Sequence, residues 1–140
     1  MSGEQTIIHG DYRVDNSFLV ERDGSPDIIS VDWQNTTGGN GTHDIAYFSA
    51  QSCNAEIRGD TELNCVRQYY ETLIDMGVKN YSFDHCLEHY RYNLLILMIT
   101  PIAICGTLDQ GNERGAQVGA TGLQRTFEAI ESLDCAQLLK

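Results

Sequence analysis

Near residue 42 the hydrophobic pattern changes period, from short apolar runs to apolar positions three and four apart, so a strand-forming start precedes a helical remainder. Thr6-Ile7-Ile8 reads as a short strand, and Ser17-Phe18-Leu19-Val20 and Asp27-Ile28-Ile29-Ser30-Val31 read as two more. Residues 21–26 join the last two, and their Asp-Gly and Pro mark a turn. Such a hairpin carries Asp32, at the end of its second strand, back toward Asn16, at the start of its first.

The spacing then predicts a short buried helix over 43–54, with Ile45, Tyr47, Phe48 and Cys53 apolar. Asp60 or Thr61 is expected to cap a second helix, in which Leu63, Val66, Tyr70, Leu73 and Ile74 recur until Gly77 ends it. Ser82 caps a third, running through Leu87, Tyr90, Leu94, Leu97 and Met98 into Pro101, where a kink or break is expected. Residues 94–105 are nearly all apolar; these twelve fall short of the about twenty that a membrane span needs, which predicts a helix buried on all sides. A last helix, roughly 112–132, carries Gly111, Gly115, Ala116, Gly119, Ala120 and Gly122, small residues that permit close helix approach at a cost in helix stability. Leu123, Phe127, Ile130 and Leu133 would anchor its second half.

Candidate chemistry lies in the strand-forming part. His9-Gly10-Asp11-Tyr12-Arg13-Val14-Asp15-Asn16 is followed sixteen residues after Asn16 by Asp32, in Ser30-Val31-Asp32-Trp33-Gln34. Phosphoryl transfer from a nucleotide needs one carboxylate to orient the attacking hydroxyl and an oxygen-rich pair to hold Mg²⁺ against the phosphates. Asp11, Asn16 and Asp32 could be that set. A lone Asp at a strand end is more often a solvated or capping residue, and it is the ordered succession of motifs that favours chemistry.

His-Gly-Asp, four residues, Asn, then Val-Asp-Trp-Gln, then residues 39–48 with Asp44-Ile45-Ala46-Tyr47-Phe48 together resemble the C-terminal lobe of the aminoglycoside phosphotransferase and choline kinase-like superfamily, itself similar to protein kinases. The resemblance implies a mainly α fold with a small β-hairpin, a protein kinase-like C-lobe without its N-lobe. It implies one domain over 1–140, with 1–41 bearing the catalytic loop, hairpin and metal-binding segment and 42–140 forming a helical subdomain. On it, Asp11 matches the catalytic Asp, and Asn16 and Asp32 match the two metal ligands that bind Mg²⁺ and, through it, ATP. Arg13 lies where many Ser/Thr protein kinases place a Lys near the transferred group, so its charge could steady the transition state; an ion pair with Asp11 or Asp15 is the other reading. His9 matches a loop-bracing position, and Asp44 the Asp that begins the next helix and ties back to the catalytic loop, both structural supports.

Gly38-Gly39-Asn40-Gly41 lacks a following Gly-Lys-Ser/Thr, so a flexible turn before a helix capped by Thr42 or Asp44 is expected rather than a phosphate loop. Only eight residues precede His9, which leaves the N-lobe, the hinge and the first part of the C-lobe unaccounted for. The resemblance therefore predicts a kinase piece inactive without an N-lobe, from the same gene or a separate chain. The alternative is a catalytically silent truncated fragment serving as a structural or interaction domain.

A net charge of −11 argues against nucleic acid and anionic membrane as partners, since both need a basic patch. It suits a small-molecule hydroxyl acceptor that is cationic or an amino alcohol, because Glu56, Asp60, Glu62, Glu71, Asp75, Asp84 and Glu88 lie in the half that shapes the acceptor site in the resembled family; an acidic face is otherwise simply solvated. Five widely spaced cysteines without Cys-x-x-Cys suggest neither disulfide framework nor zinc site, and with no N-terminal signal peptide the expected location is cytoplasmic.

Overall fold

A computed structural model describes residues 5–107 and 113–140. Its strands are β1 (Thr6–Ile8), β2 (Ser17–Arg22), β3 (Ser25–Ser30) and β4 (Thr37–Gly39), and its helices α1 (Thr42–Ser52), α2 (Ala55–Asp75), α3 (Phe83–Leu97), α4 (Ile99–Thr107) and α5 (Glu113–Ser132). Short 3₁₀ turns cover Val14–Asn16, Trp33–Asn35 and Cys135–Leu139. The start that was expected for the last helix, with Gly111 and residue 112, lies outside the described residues.

The strands form two antiparallel pairs rather than one hairpin. β2 pairs with β3 from Ser17↔Ser30 to Arg22↔Ser25, so the turn shrinks to Asp23-Gly24, both with positive φ (53° and 77°), the two-residue geometry that matches strand twist. Pro26 accordingly sits inside β3, opposite Glu21. The second pair was not expected: Thr37-Gly38-Gly39 forms a strand against β1, with Thr6↔Gly39 and Ile8↔Thr37. Its glycines serve close approach. A Cβ on Gly39 would meet Ile8 Cδ1 at 2.7 Å, and one on Gly41 would strike the Tyr69 hydroxyl.

Several helix starts differ from those the sequence suggests, because side-chain caps outside the apolar pattern decide them. Helix α1 is capped by neither Thr42 nor Asp44; the Asn40 carboxamide oxygen accepts from the Thr42 amide (3.0 Å) and hydroxyl (2.7 Å). Helix α2 begins before Asp60 and Thr61, since Asn54 Oδ1 accepts from the Ile57 amide at 2.9 Å. Ser82 does cap α3, accepting from the His85 amide, and Gly77 at φ 93° closes α2, with the Val78 amide bonded to Leu73 O. The break between α3 and α4 falls at Met98, which leaves Pro101 in the first turn of α4, where its missing N–H costs nothing.

The core is built from α1, α2, α3 and α5 around Ala46, Ala50, Val66, Tyr90, Leu94, Leu97 and Ala129. The apolar run 94–105 is not buried on all sides: Ile96, Ile99 and Ile102 are 43–67% exposed, and in α4 only Pro101 is buried. Helix α4 lies at the margin, against α5, where a Cβ on Gly119 would meet Ile104 Cγ2 and Cys105 Sγ at 2.9 Å. The continuous stretch Phe83–Thr107 is, by length and composition alone, sufficient to cross a membrane, with 28% of its most apolar window buried.

Glu62, counted from sequence with the acidic face, lies in the core instead. Its carboxylate accepts from the Tyr90 hydroxyl at 2.7 Å and pairs with Arg58 at 3.4 Å, and Arg58 also donates to Ser132 Oγ at 2.9 Å. Arg58 and Glu62 are each only 4% exposed, so their charges satisfy one another rather than water. Burial pushes the Glu62 carboxyl above its usual range, against the pull of Tyr90 and Arg58.

Candidate active site

The loop from His9 to Asn16 leaves β1, passes α1 from its first turn to its last and returns into β2, and bonds from its amides to α1 side chains hold it at both ends. Asp44, in the first turn of α1, accepts from two successive amides, His9 at 2.8 Å and Gly10 at 3.0 Å. One carboxylate thus satisfies two loop donors that have no strand to pair with. The Val14 amide donates to Ser52 Oγ at 3.0 Å, fastening the other end of the loop to the last turn of α1.

His9 is buried at 2% exposure and braces the loop from beneath. Its Nε2 lies 2.8 Å from the Val31 carbonyl, and its Nδ1 accepts from the Asp11 amide at 3.3 Å. Those neighbours, an acceptor on one side and a donor on the other, assign the neutral ring with its proton on Nε2. The ring also packs on Trp33, with centroids 4.6 Å apart, so His9 links the loop to the segment carrying Asp32.

Gly10 between them has φ 80°, and a Cβ there would run into the Asn35 carbonyl. Gly10→Ala should therefore lower the unfolding free energy by about 1–3 kcal/mol, through backbone strain and that contact together. Urea denaturation would check this, and an unchanged midpoint would show that the loop relaxes freely.

Asp11 is the convergence point. Asn16 Nδ2 donates to its backbone carbonyl at 2.9 Å and to its Oδ2 at 3.2 Å, so the carboxamide uses its nitrogen on Asp11 and keeps its oxygen for another partner. Arg13 Nε lies 3.0 Å from Asp11 Oδ1, yet makes no aligned hydrogen bond, so the contact is one of charge only. Tyr47 lies near Asp11 as well; burial first, and hydrogen bonding toward that carboxylate second, push its phenol far above the ordinary value. Tyr47 was missed as a site residue because it reads as core. Its position three residues after Asp44, on the same helix face, was the available signal.

Asp32 follows β3 in the left-handed region, φ 62° and ψ 57°, an uncommon conformation for a residue other than glycine. The Val31 amide donates to Asn16 O at 2.9 Å, which continues the β2–β3 register by one step and sets Asp32 one residue beyond the pair. Its carboxylate is exposed and, among the described residues, accepts from Gln34 Nε2 at 3.5 Å. The structure thus joins Asp11, Arg13 and Asn16 by direct contact, ties His9 and Asp44 behind them, and leaves Asp32 adjacent through the backbone.

Among the described residues no three His, Cys, Asp or Glu side chains converge on a cation position. One carboxylate and one amide oxygen, from Asp32 and Asn16, suit a Mg²⁺ that keeps several waters and takes the rest of its shell from phosphate.

The family model described as the ecdysteroid kinase-like family matches residues 2–82, which include every residue of this arrangement. No curated protein and no solved structure matches the chain.

Proposed function

The chain belongs to the ecdysteroid kinase-like family, and on that premise we propose that it carries the catalytic loop of an ATP-dependent phosphotransferase acting on a small-molecule hydroxyl, built as a kinase-like C-lobe. The observation that carries this reading is the pair of hydrogen bonds that the Asp44 carboxylate accepts from the His9 and Gly10 amides, which presents Asp11 on a loop of fixed shape. A positioned carboxylate is what this chemistry asks of a protein, since most of the acceleration comes from orientation and charge.

The Asp11 carboxylate takes the proton of the acceptor hydroxyl as that oxygen bonds to the terminal phosphorus and the bond to the ADP oxygen breaks. The Asn16 amide holds Asp11 on its Oδ2 side, so the other oxygen faces Arg13 and the acceptor. Arg13, already beside that carboxylate, offers positive charge to the transferred group. Asn16 and Asp32 would hold Mg²⁺, which when bound neutralises phosphate charge. A family N-lobe, in the same chain or a separate one, would close over the phosphates.

Two measurements test the reading. With terminally labelled ATP, Mg²⁺ and a panel of alcohols, label should pass to an acceptor once the phosphates are enclosed; ATP loss that never exceeds the protein-free rate would overturn it. Mn²⁺, added without nucleotide, should broaden amide signals near residues 11, 16 and 32 before all others. Broadening spread evenly over the acidic surface would remove the cation site.

A further inference from the structure

Beside Arg13, the charge partner of Asp11, lies a cleft of about 420 Å³, between the catalytic loop, the end of α1 and the first half of α5. Its walls include Arg13, Arg114 and Arg125, three of the nine Lys and Arg residues in the chain, against one acidic side chain among the described residues, Asp15. Elsewhere the protein is strongly acidic, with twenty Asp and Glu in all. A cleft with an excess of positive charge inside an acidic surface focuses potential on its own ligand.

The cleft is also held in shape. Arg125 donates through Nη1 to the Gln51 carbonyl at 3.0 Å, and Gln51 Nε2 donates to Thr126 Oγ1 at 2.7 Å. Gly122 makes room for that amide, since a Cβ there would meet Gln51 Oε1 at 2.5 Å. Val14 is fixed to Ser52 at the opposite wall. Bonds from α5 and from the loop to the end of α1 thus tie the three walls together, so Arg125 needs little ordering when a ligand arrives, while Arg114 is exposed.

Resting on the phosphotransferase reading above, we infer that this cleft binds the acceptor and selects one carrying an anionic group, a carboxylate, sulfate or phosphate, whose free hydroxyl then reaches Asp11. Planar guanidinium groups suit such oxyanions through paired N–H donors. Val14 and Val118, on opposite walls, supply apolar contact for the carbon frame between anion and hydroxyl. The overall charge favours a cation, but the walls nearest Asp11 decide what sits beside it, because exposed charges beyond about 8–10 Å are screened at physiological salt.

Binding is tested without turnover, by amide shift titration with three alcohols matched in shape: 4-(hydroxymethyl)benzoate, its neutral benzamide and the cationic 4-(hydroxymethyl)benzylamine. The benzoate should shift residues 13–15, 51–52 and 114–125, with at least tenfold tighter binding than the other two. Arg114→Gln should weaken it severalfold. Thr121→Glu, which adds a negative charge on an exposed wall and threatens no core packing, should abolish the preference. Equal binding of all three, preference for the amine, or shifts outside the cleft would overturn the inference. So would inorganic phosphate occupying the cleft and excluding the benzoate, which would assign the arginines to the transferred phosphoryl group. A kinase that binds and phosphorylates neutral alcohols as well as anionic ones would keep the phosphotransferase reading and defeat this one alone.

Discussion

Asp11→Asn is expected to lower turnover about a hundredfold or more, while leaving nucleotide affinity nearly unchanged, in a form of the protein that turns over ATP, alone or joined to an N-lobe. The amide is nearly isosteric and can still accept from Asn16 Nδ2, so the loop should keep its shape. What is lost is the base for the acceptor proton and the charge partner of Arg13. Asp32→Ala should act differently, weakening Mg-ATP binding as well, because its carboxylate would be a metal ligand and not a base. Steady-state kinetics on any accepted alcohol separates the two. Equal kcat for wild type and Asp11→Asn would remove Asp11 from the mechanism.

Arg58→Met is expected to cost about 3–5 kcal/mol of stability at pH 7, because it breaks a buried ion pair. The substitution keeps much of the volume but strands the Glu62 carboxylate in the core with Tyr90 alone, and leaves Ser132 Oγ without its donor. The deficit should shrink as pH falls. Burial already holds the Glu62 carboxyl above its ordinary value near 4.5, and Arg58 is one of the two groups pulling it down. A carboxyl whose folded value lies above its unfolded one gives stability that is fully present below the unfolded value and lost as pH rises through the folded value. Without Arg58 the folded value climbs further, so the variant recovers relative to wild type as pH drops from 7 toward the middle 4s. Urea denaturation of both proteins at pH 7 and pH 5 measures this. A deficit under about 1 kcal/mol, or one independent of pH, would show that water reaches the pair.

The sequence by itself determined the elements whose signals are local. Ser82 and Gly77 bound their helices where the residue types require, because a cap or a left-handed closure needs only neighbours in the chain. Asp-Gly placed the β2–β3 turn for the same reason, and with the hairpin came the return of Asp32 toward Asn16. The order of His9, Asp11, Asn16, Asp32 and Asp44 was likewise legible, since spacing along the chain carries it. Only the tertiary structure decided which groups meet across long separations. The β1–β4 pair joins residues about thirty apart through a glycine strand with no apolar signature. Asp44 reaches the His9 amide, Tyr47 the Asp11 carboxylate and Arg58 the Ser132 hydroxyl, none of which a periodic pattern encodes. Glu62 reads as surface because charge usually is, and it is buried because Arg58 one turn earlier and Tyr90 on another helix satisfy it. Residues 94–105 fail in the opposite sense: hydropathy counts apolar side chains, but burial requires a partner surface, and α4 packs chiefly on one side, against α5.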